Sequence, residues 1–281
     1  MIQLLGPGED SLTTFALEDI RTSQAALTGA LWIDLFQPTE EEEHFVEKTL
    51  GVEIPSREEM QEIAESSRLF EEKDNLYLSC WIPCFDSPIP VNSSVSFVIT
   101  PDQFISIRHS DHHAFRIFQK TRNRLQTRRF QTQYGAFVEL LDAMAGHIAS
   151  TLRLAEQDLN SLSITIFSEQ KAEQKKNKLG LKQIVQRLGK RKSLVSNLRE
   201  SSVSLSTLAP FFYSFAGAKL KPHVAAQLKT IEKDIKSLRQ YDTELSDEIG
   251  FLLDSTVGLI NFEQNQSMKF LGFAALLLAF I

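Results

Sequence analysis

The chain has 281 residues, with 30 Lys and Arg against 36 Asp and Glu, which gives a formal net charge of -6. One hydrophobic core rarely serves a chain of this length, so we expect more than one structural part. The acidic balance argues against a general nucleic-acid-binding protein, which would carry a basic face. We therefore expect no nucleic-acid partner.

The cysteine content and the amino terminus indicate a reducing compartment. Cys80 and Cys84 lie four residues apart on a predicted strand, and no other cysteine accompanies them. This spacing favours neither a zinc site nor a disulfide, so we expect two reduced thiols. The amino-terminal sequence MIQLLGPGED lacks the basic and long apolar segments of a secretory signal. We expect the body of the chain to fold in the cytosol.

Strand signals recur through the first part of the chain. Leu31–Leu35 and Leu76–Phe85 are apolar segments of strand length. Ser94–Thr100 and Phe104–Arg108 flank the sequence Thr100-Pro101-Asp102-Gln103, whose Pro and Asp are typical turn residues. This arrangement predicts a β-hairpin.

Helix signals lie between these strands. Thr39 with Glu42 forms the sequence signature of a capping box and opens a helix that ends near residue 50. Ser56 with Glu59 repeats the signature and opens a second helix to about residue 67. We therefore predict an α+β cytoplasmic domain over residues 1–130, with an antiparallel-rich sheet and helices. Neither a glycine-rich phosphate loop nor a nucleophile elbow occurs in it.

Residues 131–221 have the pattern of a long helical hairpin. Apolar residues recur at steps of three and four from Phe137 to Ile166, which is the period of an amphipathic helix. A break follows over residues 168–180, and a second helix is predicted from Leu181 to Leu208, before Pro210. Nine basic residues and one acid lie between Lys171 and Lys192. They predict a solvated hairpin tip or, alternatively, a contact with anionic headgroups.

Residues 222–268 are predicted to form one stalk helix, which Pro222 opens. Its apolar positions alternate in steps of four and three, which is a heptad seam, and we expect this seam to pack against copies of itself. The seam consists of Val224, Leu228, Ile231, Ile235, Leu238, Asp242, Leu245, Ile249, Leu252, Thr256 and Leu259. No proline interrupts the chain from His223 to Ile281, so the helix would extend over roughly 90 Å.

The last residues have the composition of a membrane helix. Phe270–Ile281 contains no polar residue, and Lys269 is placed to reach the membrane interface. A helix of this length rises roughly 18 Å, whereas a bilayer core needs about 30 Å. We therefore interpret residues 269–281 as the start of a truncated first transmembrane helix. A buried C-terminal helix is the alternative.

Polar residues on the predicted stalk suggest a cation path. Asp254 and Asn265 lie eleven residues apart, which is three helical turns, and Met268 follows one turn later. Carboxylate and amide oxygens suit a hard cation or its water shell, and rings of such groups in an oligomer form a selectivity path. The alternative is an exposed Asp and an Asn that fixes coiled-coil register.

Two other clusters of polar side chains could bind a metal ion, but each is explained more simply by its position at the start of a helix. His109, His112 and His113 form a small cluster, for which an exposed helix start is favoured over metal binding. The acidic run of residues 40–43 fits the first turn of a helix better than a metal cage.

The segment FLLDSTVGLINFEQNQSMKFLGF resembles the junction of stalk helix and first membrane helix in CorA-type magnesium channels. The upstream order of LWIDL, an acidic helix, SSRLFEEKDNLYLS and the strands SVSFVIT and FISIR is also similar. The resemblance covers essentially the whole chain. The family's Gly-Met-Asn motif and second membrane helix do not occur before Ile281.

The resemblance implies a homopentameric channel of the cell inner membrane, with membrane lipid as a further partner, residues 1–268 in the cytosol and no enzymatic activity. Mg²⁺ would be both the transported and the regulatory ion, with Co²⁺, Ni²⁺ or Zn²⁺ as possible further ions. The regulatory ion would bind between subunits, at Asp254 and at Glu62 of the Glu62-Ile63 pair, where many relatives have Asp. The pore-lining residues implied by the resemblance are Asn265, Met268, Leu271, Ala275 and Ala279.

Two alternatives stay open at the level of sequence. A zinc transporter of the same fold would share the helix spacing, and the pore loop that could separate the two lies outside this chain. A soluble coiled-coil interaction protein, with its apolar tail as a packing helix, would need no membrane.

Overall fold

The computed structural model describes residues 1–6, 12–62, 69–84, 91–124, 132–167 and 178–279, without the side chains of residues 61, 62, 120–124, 178 and 179. The described strands are β1 Ile2–Leu5, β2 Thr13–Phe15, β3 Trp32–Phe36, β4 Leu69–Glu72, β5 Asn75–Cys84, β6 Val91–Ile99 and β7 Phe104–Arg108. The described helices are α1 Leu17–Thr22, α2 Gln24–Thr28, α3 Glu40–Leu50, α4 Arg57–Glu62, α5 His113–Arg124, α6 Gln133–Phe167, α7 Lys178–Ala216 and α8 Pro222–Ala279. A 3-10 turn, Gly217–Lys219, separates α7 from α8.

The described strands form one sheet in the order β2-β1-β3-β7-β6-β5-β4. The predicted hairpin is confirmed, because β6 and β7 pair antiparallel with Ile99 opposite Phe104. The sheet is mixed rather than purely antiparallel, since β3 and β7 pair in parallel, with Trp32 opposite Phe104. Cys80 and Cys84 are buried thiols of β5 that form no disulfide, as expected.

Both predicted capping boxes form. Thr39 Oγ1 accepts a hydrogen bond from the Glu42 backbone at 3.3 Å, and Glu42 accepts one from the Thr39 backbone at 3.0 Å. Ser56 and Glu59 make the same reciprocal pair at the start of α4. Gly51 ends α3 in the left-handed conformation at φ 68°, which glycine adopts without strain. The helix predicted to end near residue 67 is described only to Glu62.

Alternation along the strands gives the sheet two apolar faces. One face packs against the segment of α1 to α4, and its core includes Ile33, Leu35, Val46 and Ile107. The opposite face is aromatic: Phe104 lies 6.0 Å from Trp32 and 5.4 Å from Phe137, measured between ring centroids. Burial on both faces explains why these strands are continuously apolar.

A buried ion pair joins the two parallel strands. Arg108 of β7 donates to both carboxylate oxygens of Asp34 in β3, through Nη2 at 2.8 Å and Nε at 3.1 Å. Ser106 Oγ donates to Asp34 at 2.7 Å and accepts from Trp32 Nε1 at 2.9 Å. The Arg108 guanidinium also lies 4.3 Å from the Phe36 ring centroid. This network satisfies the carboxylate of Asp34, which is fully buried.

The chain divides into two compact units. The first unit comprises Met1–Ser150 and Asn197–Gln240, and the second comprises Thr151–Ser196 and Tyr241–Ile281. The sheet belongs to the first unit, whereas the second unit is helical in its described residues. The division into segments 1–130, 131–221, 222–268 and 269–281 stays a prediction.

Helices α6 and α7 contact each other within each of the two units. In the second unit, Asp158 of α6 forms ion pairs with Arg187 and with Arg191, whose Nε lies 2.7 Å from the carboxylate. In the first unit, Phe137 of α6 packs on Phe212 of α7 with ring centroids 4.7 Å apart. The helical hairpin over residues 131–221 stays a prediction.

The prediction that the second helix stops before Pro210 is wrong. Helix α7 continues through Pro210 to Ala216. Proline removes one backbone hydrogen bond and usually breaks or kinks a helix. Here its neighbours Leu208, Ala209 and Phe212 are fully buried, and this packing offsets the lost hydrogen bond. Tertiary contacts therefore extend the helix beyond the local signal.

Helix α8 is continuous over 58 residues, as the absence of proline predicted. Its heptad seam from Val224 to Thr256 is at most 8% exposed in the single chain. The prediction that this seam buries against copies of itself is therefore wrong over this range, because the chain already covers it. Leu259 differs and is 37% exposed. Among the described residues, no helix combines the length and hydropathy needed to span a membrane.

A cation-ligand face on helix α8

Helix α8 presents two opposite faces in the second unit. Successive helical residues are turned by about 100°, so Asp254 lies roughly 200° from Leu252. Leu252 and Ile249 belong to the buried seam, at 1% and 0% exposed. Asp254 is exposed. Because the seam faces the interior, the carboxylate of Asp254 lies on the opposite side of the helix and is exposed to solvent.

The exposed face of α8 continues through the residues predicted to receive the cation. Asn265 and Met268 lie eleven and fourteen residues beyond Asp254, within about 20° and 40° of its direction. Both side chains are exposed, and Met268 is 63% exposed. One helix face thus carries a carboxylate, an amide and a thioether in succession.

The remaining predicted pore residues extend this face toward the end of the helix. Ala275 and Ala279 lie seven and eleven residues after Met268, within about 20° of it. Leu271 is turned by about 60° from Met268 and is 66% exposed. Ala275 and Ala279 are exposed as well. No described residue from Val257 to Ala279 is buried, so exposure does not single out these five residues. Helical spacing alone places them within about 120° of one another, and their lining of a pore stays a prediction.

Glu62, the predicted partner of Asp254, is the last described residue of α4. Its side chain lies outside the described residues, and so does Ile63. Glu58 and Glu59 on the same helix are exposed, and Glu59 is engaged in the capping box. Metal binding by Glu62 and Asp254 stays a prediction.

Sequence analysis missed three residues on the exposed face of α8. Asp247 is exposed one heptad before Asp254. Phe251 and Phe262 are 61% and 66% exposed, and Phe251 stacks on Phe167 of α6 with ring centroids 6.0 Å apart. Helical spacing turns Phe251 by about 60° from Asp254, away from the seam, whereas Phe262 is turned by only about 60° from the seam residue Leu259, so spacing gives no signal of its exposure.

The histidine cluster does not form one exposed helix start. His112 is fully buried and its Nε2 lies 3.1 Å from Ser93 Oγ. Burial, followed by the charge of Arg108, lowers the pKa of His112 to about 4, so its imidazole is neutral near pH 7. His113 is exposed at the first position of α5, with its ring centroid 5.0 Å from that of His147. Within the described parts of the chain, no three His, Cys, Asp or Glu residues form a group suited to a metal ion.

The acidic run at the start of α3 lies in its first turn, as predicted. Burial raises the pKa of Glu43 to about 7, and the charges of Glu47, Glu40 and Glu58 add to the effect. The carboxylates of α3 and α4 therefore create a strongly negative local field.

The raised pKa of Glu43 predicts a pH-dependent stability. Its folded pKa of about 7 lies above the ordinary value of 4.5, so the folded state binds more protons between these values. Protonated Glu43 therefore adds to the free energy of unfolding. This contribution is complete below pH 4.5 and is lost as the pH rises through about 7. We expect Glu43→Gln to flatten the pH dependence of the unfolding midpoint between pH 5 and 7.

Thermal unfolding of the wild type and of Glu43→Gln across this pH range tests the prediction. Glu41→Gln is the matched control, because Glu41 is exposed on the same helix turn. Equal slopes for wild type and Glu43→Gln would show that Glu43 titrates normally.

Similarity to known proteins shows the family to which this chain belongs. The family model described as CorA-like Mg2+ transporter protein matches residues 28–279. The chain belongs to this family. The Magnesium transport protein CorA of Mannheimia succiniciproducens is 28% identical over 266 residues, which cover 92% of this chain and 81% of that protein.

Solved structures of low sequence identity show the same fold. The soluble domain of CorA from Methanocaldococcus jannaschii superposes with a TM-score of 0.68 at 15% identity, covering 92% of this chain and 97% of that one. The cytoplasmic domain of ZntB from Vibrio parahaemolyticus superposes with a TM-score of 0.55 at 13% identity, covering 82% and 87%. The CorA family resemblance is thus confirmed, together with a mixed sheet followed by long helices.

Proposed function

We propose that this chain is a subunit of a homopentameric channel that conducts Mg²⁺ through a cell inner membrane. In this proposal residues 1–268 lie in the cytosol, and lipid surrounds the apolar residues that follow. The chain acts by conducting an ion and not as an enzyme. The support is membership of the CorA-like family over residues 28–279 and the similarity to proteins named as magnesium transporters.

The alignment of Asp254, Asn265 and Met268 along the continuous helix α8 is the observation that carries this proposal. Five copies of the helix around an axis would form rings of Asp254 carboxylates and Asn265 amides. These oxygens suit Mg²⁺, which keeps most of its water and prefers hard ligands. Met268 and Leu271 would then form a narrower apolar constriction, with Ala275 and Ala279 deeper in the path.

Uptake measurements on the complete protein, expressed from its own gene, test the function. In a bacterial strain without Mg²⁺ transporters, we expect the protein to restore growth at low Mg²⁺. Asn265→Leu is expected to abolish the rescue, because it removes the amide oxygen from the path. Gln240→Leu is the matched control, since Gln240 is exposed on α8 far from Asn265. Failure of the wild type to take up any divalent cation would refute the proposal.

Zinc transport is the second candidate, favoured by the fold similarity to the ZntB cytoplasmic domain. Competition of Co²⁺, Ni²⁺ and Zn²⁺ with Mg²⁺ uptake separates the two. We expect Mg²⁺ to be the preferred ion. Accumulation of Zn²⁺ without Mg²⁺ would favour the zinc transporter.

Regulation by the transported ion is a further part of the proposal. Asp254 of one subunit and Glu62 of its neighbour would hold Mg²⁺ between them, partly through retained water, because Mg²⁺ dehydrates reluctantly. The bound ion offsets the repulsion between the two carboxylates and connects neighbouring subunits. Loss of the ion leaves like charges facing each other, which favours open states.

We expect Asp254→Asn to raise the Mg²⁺ concentration that half-protects the protein from proteolysis. The expected change is about fivefold, the effect of ~1 kcal/mol from an exposed charge interaction. Limited proteolysis of the assembled protein across a Mg²⁺ titration measures it. Asp247→Asn is the matched control, because Asp247 is exposed on the same face one heptad earlier. Equal protection of wild type and Asp254→Asn would exclude Asp254 from the sensor.

A further inference from the structure

A cavity of about 460 Å³ lies in the first unit, between α3, the start of α4 and the sheet edge at β4 and β5. This volume is in the range of small-molecule sites. Its wall combines three carboxylates with two aromatic rings around the Ile54-Pro55 backbone, and no described lining residue is basic. The carboxylates belong to Glu47, Glu53 and Glu59, and the rings to Phe70 and Tyr77.

Hydrogen bonds hold two of the three carboxylates of this cavity in place. Glu47 Oε1 accepts from the Ile54 backbone at 3.0 Å. Glu59 Oε2 accepts from the Ser56 backbone at 2.9 Å and from Ser56 Oγ at 3.0 Å. These bonds arise from the loop and the helix cap, so a ligand would not need to order these two side chains on binding.

The aromatic wall is built by two strands. Phe70 of β4 lies directly opposite Tyr77 of β5, and their rings stack at 4.7 Å with an angle of 6° between planes. Tyr77 is buried, and its hydroxyl accepts from the Glu53 backbone at 3.3 Å. Phe70 is 42% exposed beside the three carboxylates. An aromatic face next to negative charge attracts an organic cation.

We propose that this cavity binds an aliphatic amine, with its ammonium group at the carboxylates and its alkyl stem against the Phe70–Tyr77 pair. A bare divalent cation fits the wall less well. Mg²⁺ requires a compact octahedron of oxygens, and the described acids nowhere form a three-ligand group suited to a metal. The Phe70–Tyr77 pair offers no ligand to a metal ion, whereas it can pack against the methylene groups of an aliphatic amine. Burial, followed by the charge of the lining residue Glu47, raises the pKa of Glu43, and the same charge of Glu47 attracts an ammonium group.

Calorimetric titration of the whole chain with 1,4-diaminobutane at constant ionic strength tests the proposal without requiring transport. We expect saturable binding by the wild type, weakened at least about tenfold in Glu53→Gln/Glu59→Gln, the change that 1.4 kcal/mol represents. Glutamine at position 59 still completes the capping box, so the fold is retained. Phe70→Leu is expected to weaken binding about threefold, because it removes part of the aromatic surface that packs against the methylene stem.

The matched control is Glu71→Gln/Glu72→Gln, which removes two exposed charges of β4 that do not line the cavity. Its affinity is expected to equal that of the wild type. Equal losses in both double variants would show general charge attraction and overturn the proposal. Absence of saturation, or equal binding of N,N′-diacetyl-1,4-diaminobutane, would overturn it too. So would displacement of the diamine by Mg²⁺ beyond the effect of NaCl at the same ionic strength, because the site would then be a metal site.

Discussion

Asp34→Ala is expected to lower the free energy of unfolding by about 3–5 kcal/mol, the usual cost of removing one partner from a buried ion pair. The variant removes the carboxylate that accepts from Nε and Nη2 of Arg108, whose side chain is 6% exposed, and leaves it with Asp111, 3.8 Å from Nη1. It also removes the acceptor of Ser106 Oγ. Both losses occur between β3 and β7, the parallel strands at the centre of the sheet.

Urea unfolding followed by circular dichroism measures this loss. Asp19→Ala is a suitable control, since Asp19 is exposed on α1 and is expected to change stability by less than about 0.5 kcal/mol. Asp34→Leu/Arg108→Met should lose less than the two single variants combined, because no buried charge is left alone. A loss below about 1 kcal/mol in Asp34→Ala would show that Asp111 or water compensates Arg108 instead.

The strands with local sequence signals could be predicted closely. Phe104–Arg108 is β7 as predicted, and Leu31–Leu35 is shifted by one residue from β3. The parallel pairing of β3 with β7 could not be predicted, because it joins residues about 70 positions apart and leaves no local pattern. The short edge strand β2 carries too few residues to show alternation.

Helix α8 shows how periodicity identifies a buried face without identifying what covers it. The heptad spacing correctly marked Leu228, Ile249 and Leu252 as buried. The same spacing fits helices of one chain or of several. In the second unit, α6 and α7 contribute their own buried stripes, which include Leu159 and Leu188. The spacing therefore predicts which face of α8 is buried, and only the structure shows that residues of the same chain bury it.

The candidate cation-ligand face could be predicted because helical spacing alone determines it. Asp254, Asn265 and Met268 needed only the continuity of α8, which the structure has. The exposed aromatic residues Phe251 and Phe262 could not be assigned in advance, since apolar residues near a seam are normally assumed to be buried. Only the structure shows that both are exposed, Phe251 at 61% and Phe262 at 66%.

Met268 is expected to form an apolar ring below Asn265 in the proposed channel, and we expect this ring to limit the leak of Mg²⁺. A hydrophobic constriction resists ions because a charge there loses water without gaining ligands. Met268 is 63% exposed in one chain, so its side chain is available to meet its copies around an axis. We expect Met268→Ser to raise Mg²⁺ leak about tenfold, the change produced by lowering a barrier by ~1.4 kcal/mol.

Flux into liposomes measures this leak at the Mg²⁺ concentrations that are expected, under the proposed regulation, to close the wild type. Met268→Leu is the matched control, because it keeps an apolar side chain of similar volume and is expected to stay closed. Met268→Ser preserves exposure on the helix surface, so a change in folding does not account for increased flux. Leak equal to that of the wild type would remove Met268 from the gate. Increased leak in both variants would indicate that the shape of the methionine side chain, and not its apolar character, closes the path.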